Sequence, residues 1–391
     1  MDPRINPYSP GAGTQPPELS GRKHIITQAE IALDRCRNGL SARGLMLVGL
    51  RGVGKTVLLV HLAQRAEAEG FSVISIEVPE KRSLPALLIP ALRAALFKLG
   101  PPDNLIKRGL RVLGSFVASM KLKYHDVEFS VSLEKEVGSA DSGDLEYDLT
   151  ALFVALGEML RDKKTALGIF IDEIQYLEED QFAALIMALH KCAQLRLPIL
   201  LIGAGLPQLV SQAGRAKSYA ERLFEYPEVG KLSEEAAEEA LILPAKRLRV
   251  DFEPSAITEI LAQTQCYPYF LQEWGKHAWE YAKKSPITKV DVNGATTLAV
   301  INLDVSFFRV RFDRLTPTEK KYLRAMAELG FNNVRSGDIA ELLKKEVQSV
   351  APTRASLIEK GMIYSPAHGD NAFTVPLFQD YLKRNTILFN E

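Results

Sequence analysis

Residues 45–60 read LMLVGLRGVGKTVLLV: an apolar run, then three glycines with a lysine and a threonine, then a second apolar run. Within it, Gly49-Leu50-Arg51-Gly52-Val53-Gly54-Lys55-Thr56 satisfies G-x-x-x-x-G-K-[ST] at every fixed position. Glycines let the backbone wrap until successive N–H groups point inward and form a nest for an anion. A helix opening at the end of the loop adds the partial positive charge of its N-terminus. In this pattern the loop cradles phosphates, Lys55 reaches the β and γ phosphates, and the Thr56 hydroxyl ligates Mg²⁺. The plainer alternative is a glycine turn between a strand and a helix. The apolar strand before the loop and VLLVHLAQRA after it favour the phosphate reading.

Outward from the loop, short apolar runs alternate with helical stretches. The clearest are LMLVG (45–49), FSVISIEV (71–78), LGIFIDE (167–173) and PILLIG (198–203). Such alternation predicts an α/β core, a parallel sheet with helices on both faces. The run at 167–173 is nearly continuous in apolar residues, as a central strand buried on both faces requires. It ends in Asp172-Glu173, the form of a Walker B motif. There Asp172 would hold Mg²⁺ through water, and Glu173 would polarise the water that attacks the γ-phosphate. Thr288-Lys289-Val290-Asp291 matches the [NT]-K-x-D by which GTPases read guanine, but it follows Ser285-Pro286 instead of a buried strand. Thr288 or Asp291 reads better as the N-cap of the next helix.

The 391 residues carry 48 Lys+Arg against 48 Asp+Glu. That balance argues against a chain built mainly to coat nucleic acid, though a local basic face is compatible with it. Cys36, Cys192 and Cys266 are far apart, form no CxxC pair and read as core thiols. The first twenty residues lack the apolar core of a signal peptide. The longest mostly apolar stretch, 197–210, is too short to span a bilayer and is broken by Gly and Pro. A cytoplasmic protein without a membrane partner is expected.

Residues 1–20, rich in Pro, Gly and Ser, read as a flexible arm without a core of its own. The nucleotide core is expected over 21–231. Near 121–144, alternation of Val127, Phe129, Val131 and Leu133 predicts an inserted β-hairpin. A helical lid follows over 232–315, opened by Ser233 as N-cap with Glu234 and Glu235 in the first turn. In 316–391, Thr316 and Glu319 have capping-box spacing with Pro317 at the first helical position. Helices near 336–344 and 352–360, then strands MIYSP (362–366) and FTVPLF (373–378), complete a winged-helix pattern. Its recognition helix would turn Thr353, Arg354, Ser356 and Lys360 outward, with His368 at the wing tip.

Both motifs, with the lid and winged helix behind them, resemble AAA+ P-loop ATPases, nearest the prokaryotic branch related to origin-recognition and STAND-type ATPases. The resemblance runs from Gly21 to the end of the chain. It implies binding of ATP and ADP with Mg²⁺, hydrolysis of ATP to ADP and phosphate, slowed by two departures from the family pattern given below, and assembly into a nucleotide-dependent homo-oligomer. It gives Arg222, just before the presumed fifth strand, two readings: a finger reaching a neighbouring subunit's γ-phosphate in trans, or a surface arginine packing on Glu221 or Glu225. Pro268, in CYPYFLQEWGKHAW, corresponds to the lid proline that packs near the base. Two family features are missing. The strand that usually ends in Asn, Thr or Ser here ends Ile202-Gly203-Ala204-Gly205, and the lid helix has only Lys276 where an arginine is usual. Three roles stay open: a switch controlling assembly or binding of a protein partner, a loader or regulator gripping double-stranded DNA through the winged helix, and a scaffold without turnover.

Overall fold

The computed structural model describes residues 1–385 apart from 12, 102, 127–133, 331–332 and 368. The chain divides into two compact units. A sheet unit comprises Arg22–Val48 and Lys55–Glu228, and a helical unit comprises Met1–Gly21, Gly49–Gly54 and the chain from Val229 onward.

In chain order the sheet unit contains α1 (Lys23–Arg37), β1 (Gly44–Val48), α2 (Lys55–Ala68), β2 (Ser72–Glu77), α3 (Leu84–Lys98), α4 (Asn104–Lys123), α5 (Leu145–Asp162), β3 (Leu167–Asp172), α6 (Glu179–Gln194), β4 (Ile199–Gly205), α7 (Leu209–Ala216), α8 (Ala220–Leu223) and β5 (Phe224–Glu225). The strands form one parallel sheet in the order β2-β3-β4-β1-β5. Every residue of β1, β3 and β4 is buried, which explains their unbroken apolar sequences: helices cover both faces. β2 and the two-residue β5 take the edges. Pairing of Ile171 with Gly203 and of Val48 with Gly205 aligns the carboxyl ends of β3, β4 and β1. In open α/β sheets ligands bind outside these ends.

The hairpin expected near 121–144 begins instead as the last turn of α4. Its alternating residues Val127, Phe129, Val131 and Leu133 lie outside the described residues. Beyond them the chain is tied down by Asp148, a fully buried carboxylate in the first turn of α5. It accepts hydrogen bonds from the hydroxyls of Ser119 and Ser142, both at 2.7 Å, and from the N–H groups of Ser142 (2.9 Å) and Gly143 (3.0 Å). Four donors compensate the desolvation of that carboxylate.

The helical unit contains α9 (Glu234–Arg247), α10 (Pro254–Thr264), α11 (Pro268–Tyr281), α12 (Lys289–Asn302), a π-helical turn (Leu303–Phe308), α13 (Arg309–Asp313), α14 (Pro317–Leu329), β6 (Val334–Arg335), α15 (Ser336–Leu342), α16 (Val347–Glu359), β7 (Ile363–Tyr364), β8 (Asp370–Phe373) and α17 (Phe378–Arg384). The expected caps form: Ser233 accepts from the Ala236 N–H, and Thr316 with Glu319 closes a capping box. Thr288 and Asp291 close another, so the T-K-x-D stretch is spent on starting α12.

Three expectations are corrected here. Residues 1–20 are not a loose arm: the Tyr8 ring is buried against Gly275 of α11, where a Cβ would come within 2.7 Å of it. The Tyr8 hydroxyl donates to the Leu241 carbonyl, and Trp279 Nε1 donates to the Asp2 carbonyl at 3.0 Å. The helix expected at 352–360 begins at Val347, with Pro352 inside it. The strand expected at 373–378 stops at Phe373, because Phe378 and Tyr381 belong to α17 and stack at 5.5 Å in the core. The small antiparallel sheet has a third strand, in the order β6-β8-β7. Phe308 of the π turn stacks on Tyr381 at 5.3 Å and packs against Phe270 of α11, so lid and winged helix share one continuous core.

The side chains expected to face outward from α16 are mostly engaged within the fold. Arg354 donates to Asn371 Oδ1 and Ser365 Oγ, each at 2.7 Å, and to the Asp370 carbonyl at 3.1 Å. Ser356 and Lys360 donate to Glu319 of α14, at 2.7 and 2.8 Å. Burial acts to raise the Glu319 carboxyl, but Lys360, the Thr316 N–H and Ser356 outweigh it and hold it below its ordinary value. A depressed carboxyl stabilises above its unfolded value, near 4.5, and loses that contribution as pH falls through its folded value. Glu319→Gln is therefore expected to lose about 2 kcal/mol at neutral pH, where a charged hydrogen-bonding partner is removed. Urea melts should show that deficit shrinking as pH falls below 4.5 toward the depressed folded value.

All three cysteines are buried, and burial pushes the Cys36 and Cys192 thiols up to about 12. Among the described residues no helix is long and apolar enough to cross a membrane.

Candidate nucleotide site

The loop Gly49–Gly54 joins β1 to α2. Its turn depends on glycine: Gly52 and Gly54 sit at φ 80° and 91°, where side chains are rarely accommodated. At Gly49 a Cβ would stand 2.1 Å from the Val229 carbonyl oxygen, a distance no side chain survives. Leu50 is half-buried and Val53 fully buried, so these two variable positions pack the loop. Arg51 does something the motif did not foretell. Its N–H donates to the Thr374 carbonyl at 3.0 Å and its Nε to the Gly361 carbonyl at 3.4 Å, both in the winged-helix segment. The Gly52 carbonyl accepts from the Tyr269 N–H at 3.1 Å. Pro268, the residue singled out in the lid, is the first residue of α11 and half-buried; its neighbour Tyr269 makes this loop contact.

In the sheet unit, Lys55, Thr56, Asp172 and Glu173 come together. Lys55 opens α2 with 6% of its surface exposed. The Thr56 hydroxyl donates to Asp172 Oδ2 at 2.6 Å, and the Glu173 N–H donates to Asp172 Oδ1 at 2.9 Å. Burial raises the Asp172 carboxyl above its ordinary value, against the pull of Thr56, the Glu173 N–H and the Lys55 ammonium. Glu173 turns the chain sharply at φ 51°, the left-handed region, which non-glycine residues enter at some cost.

These groups suit Mg²⁺ and a phosphate chain. A hydroxyl and a carboxylate lie within 2.6 Å of each other, a buried ammonium is beside them, and a helix N-terminus begins at Lys55. Among the described residues no cluster of three His, Cys, Asp or Glu side chains could hold a metal unaided.

The sequence profile of the AAA ATPase domain family matches residues 18–202, which contain both motifs. Residues 18–202 are an AAA ATPase domain. Nucleotide binding resides in it. A second profile, a domain of unknown function (DUF8462), matches residues 305–382. No curated protein sequence matches the chain. Among solved structures, the fold is similar to the Walker-type ATPase of Pyrococcus abyssi, at 16% identity and a TM-score of 0.61, covering 95% of this chain and 97% of that one. It is also similar to the Aeropyrum pernix Orc1 protein in complex with DNA, at 16% identity, TM-score 0.48 and coverage of 96% and 95%. The Thermotoga maritima RuvB Holliday junction branch migration motor gives 16% identity, TM-score 0.47 and coverage of 95% and 99%. At such identities the likeness concerns the AAA fold alone.

Arg222 lies in α8, exposed, with no side-chain hydrogen bond or ion pair among the described residues. Glu225, a suggested packing partner, is engaged by Arg43 and Gln28 instead. Gln175 escaped sequence reasoning. It is 6% exposed, its Nε2 donates to the Glu173 carboxylate, and its Oε1 accepts from the Leu206 N–H at 3.1 Å. Its only sequence signal is a polar residue two places after the acidic pair, between Ile174 and Tyr176.

Proposed function

We propose that this AAA ATPase domain works as a slow, Mg²⁺-dependent ATP switch in the cytoplasm, its nucleotide state controlling assembly and the binding of a protein partner. The observation that carries the reading is the joined set Thr56–Asp172–Glu173 beside the buried Lys55. Lys55 binds and neutralises phosphate charge. Thr56 and Asp172 hold Mg²⁺, which when bound spreads the charge of the phosphate chain. Glu173 takes the proton of the attacking water at its carboxylate. The exposed Arg222 serves the neighbouring subunit's nucleotide in trans. Pro268 packs near the base. Turnover is slow because β4 ends in Gly203-Ala204-Gly205, without a polar side chain of its own.

A protein partner is favoured over duplex DNA by the use of Arg354 and Lys360 inside the fold. The outward residues of α16 include Gln348, Ala351, Pro352, Ala355 and Glu359, none of them cationic. A helix reading the major groove places polar and basic groups on that face. Size-exclusion with light scattering in the apo, ADP and non-hydrolysable-ATP states tests the switch. The ATP analogue is expected to raise the mass, and Arg222→Ala should not prevent analogue binding. A monomer in all three states would remove the trans role. Gel shifts at two salt concentrations test the alternative: binding that needs ATP and weakens steeply with salt would make the chain a DNA loader.

A further inference from the structure

The bare end of β4 has a structural counterpart one loop away. A Cβ on Gly205 would stand 2.6 Å from Gln175 Oε1 and 3.0 Å from Leu209 Cδ2. The space beside Gly205 is therefore taken by the Gln175 amide, which enters from the single helical turn Ile174–Tyr176. Both ends of that amide are used. Oε1 accepts the Leu206 N–H, the first peptide after β4, and Nε2 donates to Glu173. The donors and acceptors allow one orientation: an N–H faces Oε1 and a carboxylate faces Nε2. The Gln175 backbone carbonyl also accepts from Gln212 Nε2 of α7 at 3.2 Å. The side-chain amide is thus buried and gripped at both ends, while the backbone beside it is tied to α7.

We infer that Gln175 is a positioning residue for hydrolysis, supplying from the β3–α6 connection the polar grip that β4 lacks. It holds the Glu173 carboxylate in register with the end of β4. This rests on reading Glu173 as the group that activates water. Gln175 has no role in phosphate binding, so its loss should act on turnover and leave nucleotide affinity alone. Displacing a reacting group by about an ångström costs on the order of 100-fold in rate.

The test compares wild type, Gln175→Met, Gln175→Glu and Gly205→Ala by steady-state phosphate release, fluorescent-ATP titration and thermal melting. Gln175→Met keeps the volume and loses both hydrogen bonds; kcat should fall 10- to 100-fold, as a displacement of about an ångström or less would give, with KM unchanged. Gly205→Ala leaves Gln175 chemically intact and displaces its amide. Its loss in kcat should not add to that of Gln175→Met in the double variant. Gln175→Glu sets carboxylate against carboxylate. Its kcat should fall at least as far as that of Gln175→Met, with KM unchanged, a split that packing damage does not produce. A kcat for Gln175→Met within about twofold of wild type, or a matched rise in KM, would overturn the positioning role. So would additive losses, or a kcat for Gln175→Glu within about twofold of wild type. Wild-type turnover no greater than that of Glu173→Gln would overturn the hydrolytic reading itself, and the positioning role with it.

Discussion

Glu173→Gln should cut ATP turnover by about 10³-fold, the middle of the range for losing a general base, while nucleotide affinity stays unchanged. The substitution is nearly isosteric. It keeps the Glu173 N–H bond to Asp172, and its amide oxygen can still accept from Gln175. Only the ability to take a proton is lost. Phosphate release measured beside fluorescent-ATP titration separates the two effects. Turnover that survives the change would place the base elsewhere, and wild-type turnover at background would make the chain a scaffold. The variant should also trap the ATP-bound form, so any nucleotide-dependent oligomer should be most persistent in it.

Lys55→Ala is expected to act on binding instead. Truncating one partner of a buried, hydrogen-bonded charge pair costs about 3 kcal/mol, or about 100-fold in affinity. Lys55 is held at 6% exposure at the first position of α2, where its ammonium has little water to fall back on. In the absence of nucleotide, the change also removes the attraction between the Lys55 ammonium and the buried Asp172 carboxylate, so the melting temperature should fall below wild type. Isothermal titration and thermal melting together check this. A variant with wild-type affinity would mean that the loop's glycines and helix N-terminus carry the phosphates alone.

Much of the core was legible because its signals are local. G-x-x-x-x-G-K-T forces a turn, and three fully buried strands must be apolar throughout, so β1, β3 and β4 were visible as runs. Caps were equally plain: Ser233, Thr288 and Thr316 each bond a backbone N–H three residues on. What stayed hidden depends on partners distant in sequence. Tyr8 looked like part of a loose tail because its socket at Gly275 lies some 270 residues away. Phe378 looked like a strand residue because the aromatic cluster that recruits it comes from α11 and the π turn. Arg354 and Lys360 looked like outward cations because Asn371 and Glu319 flank them only after folding. At the site the pattern repeats. Asp172 and Glu173 were readable as a pair, whereas Gln175 gains meaning only once Gly205 and Leu206 stand beside it.

The bonds from Arg51 to Thr374 and from Gly52 to Tyr269 also bear on the order of synthesis. Residues of the sheet unit have all been made by Glu228, and domains generally fold as units while the chain is extended. The phosphate loop, however, is anchored by Tyr269 and Thr374, which emerge long after it. A nascent chain can therefore build its sheet early and hold Lys55 and Thr56 at the head of α2. The two backbone anchors of the loop arrive last. Backbone anchoring of the loop is in this way complete only once Thr374 has been translated.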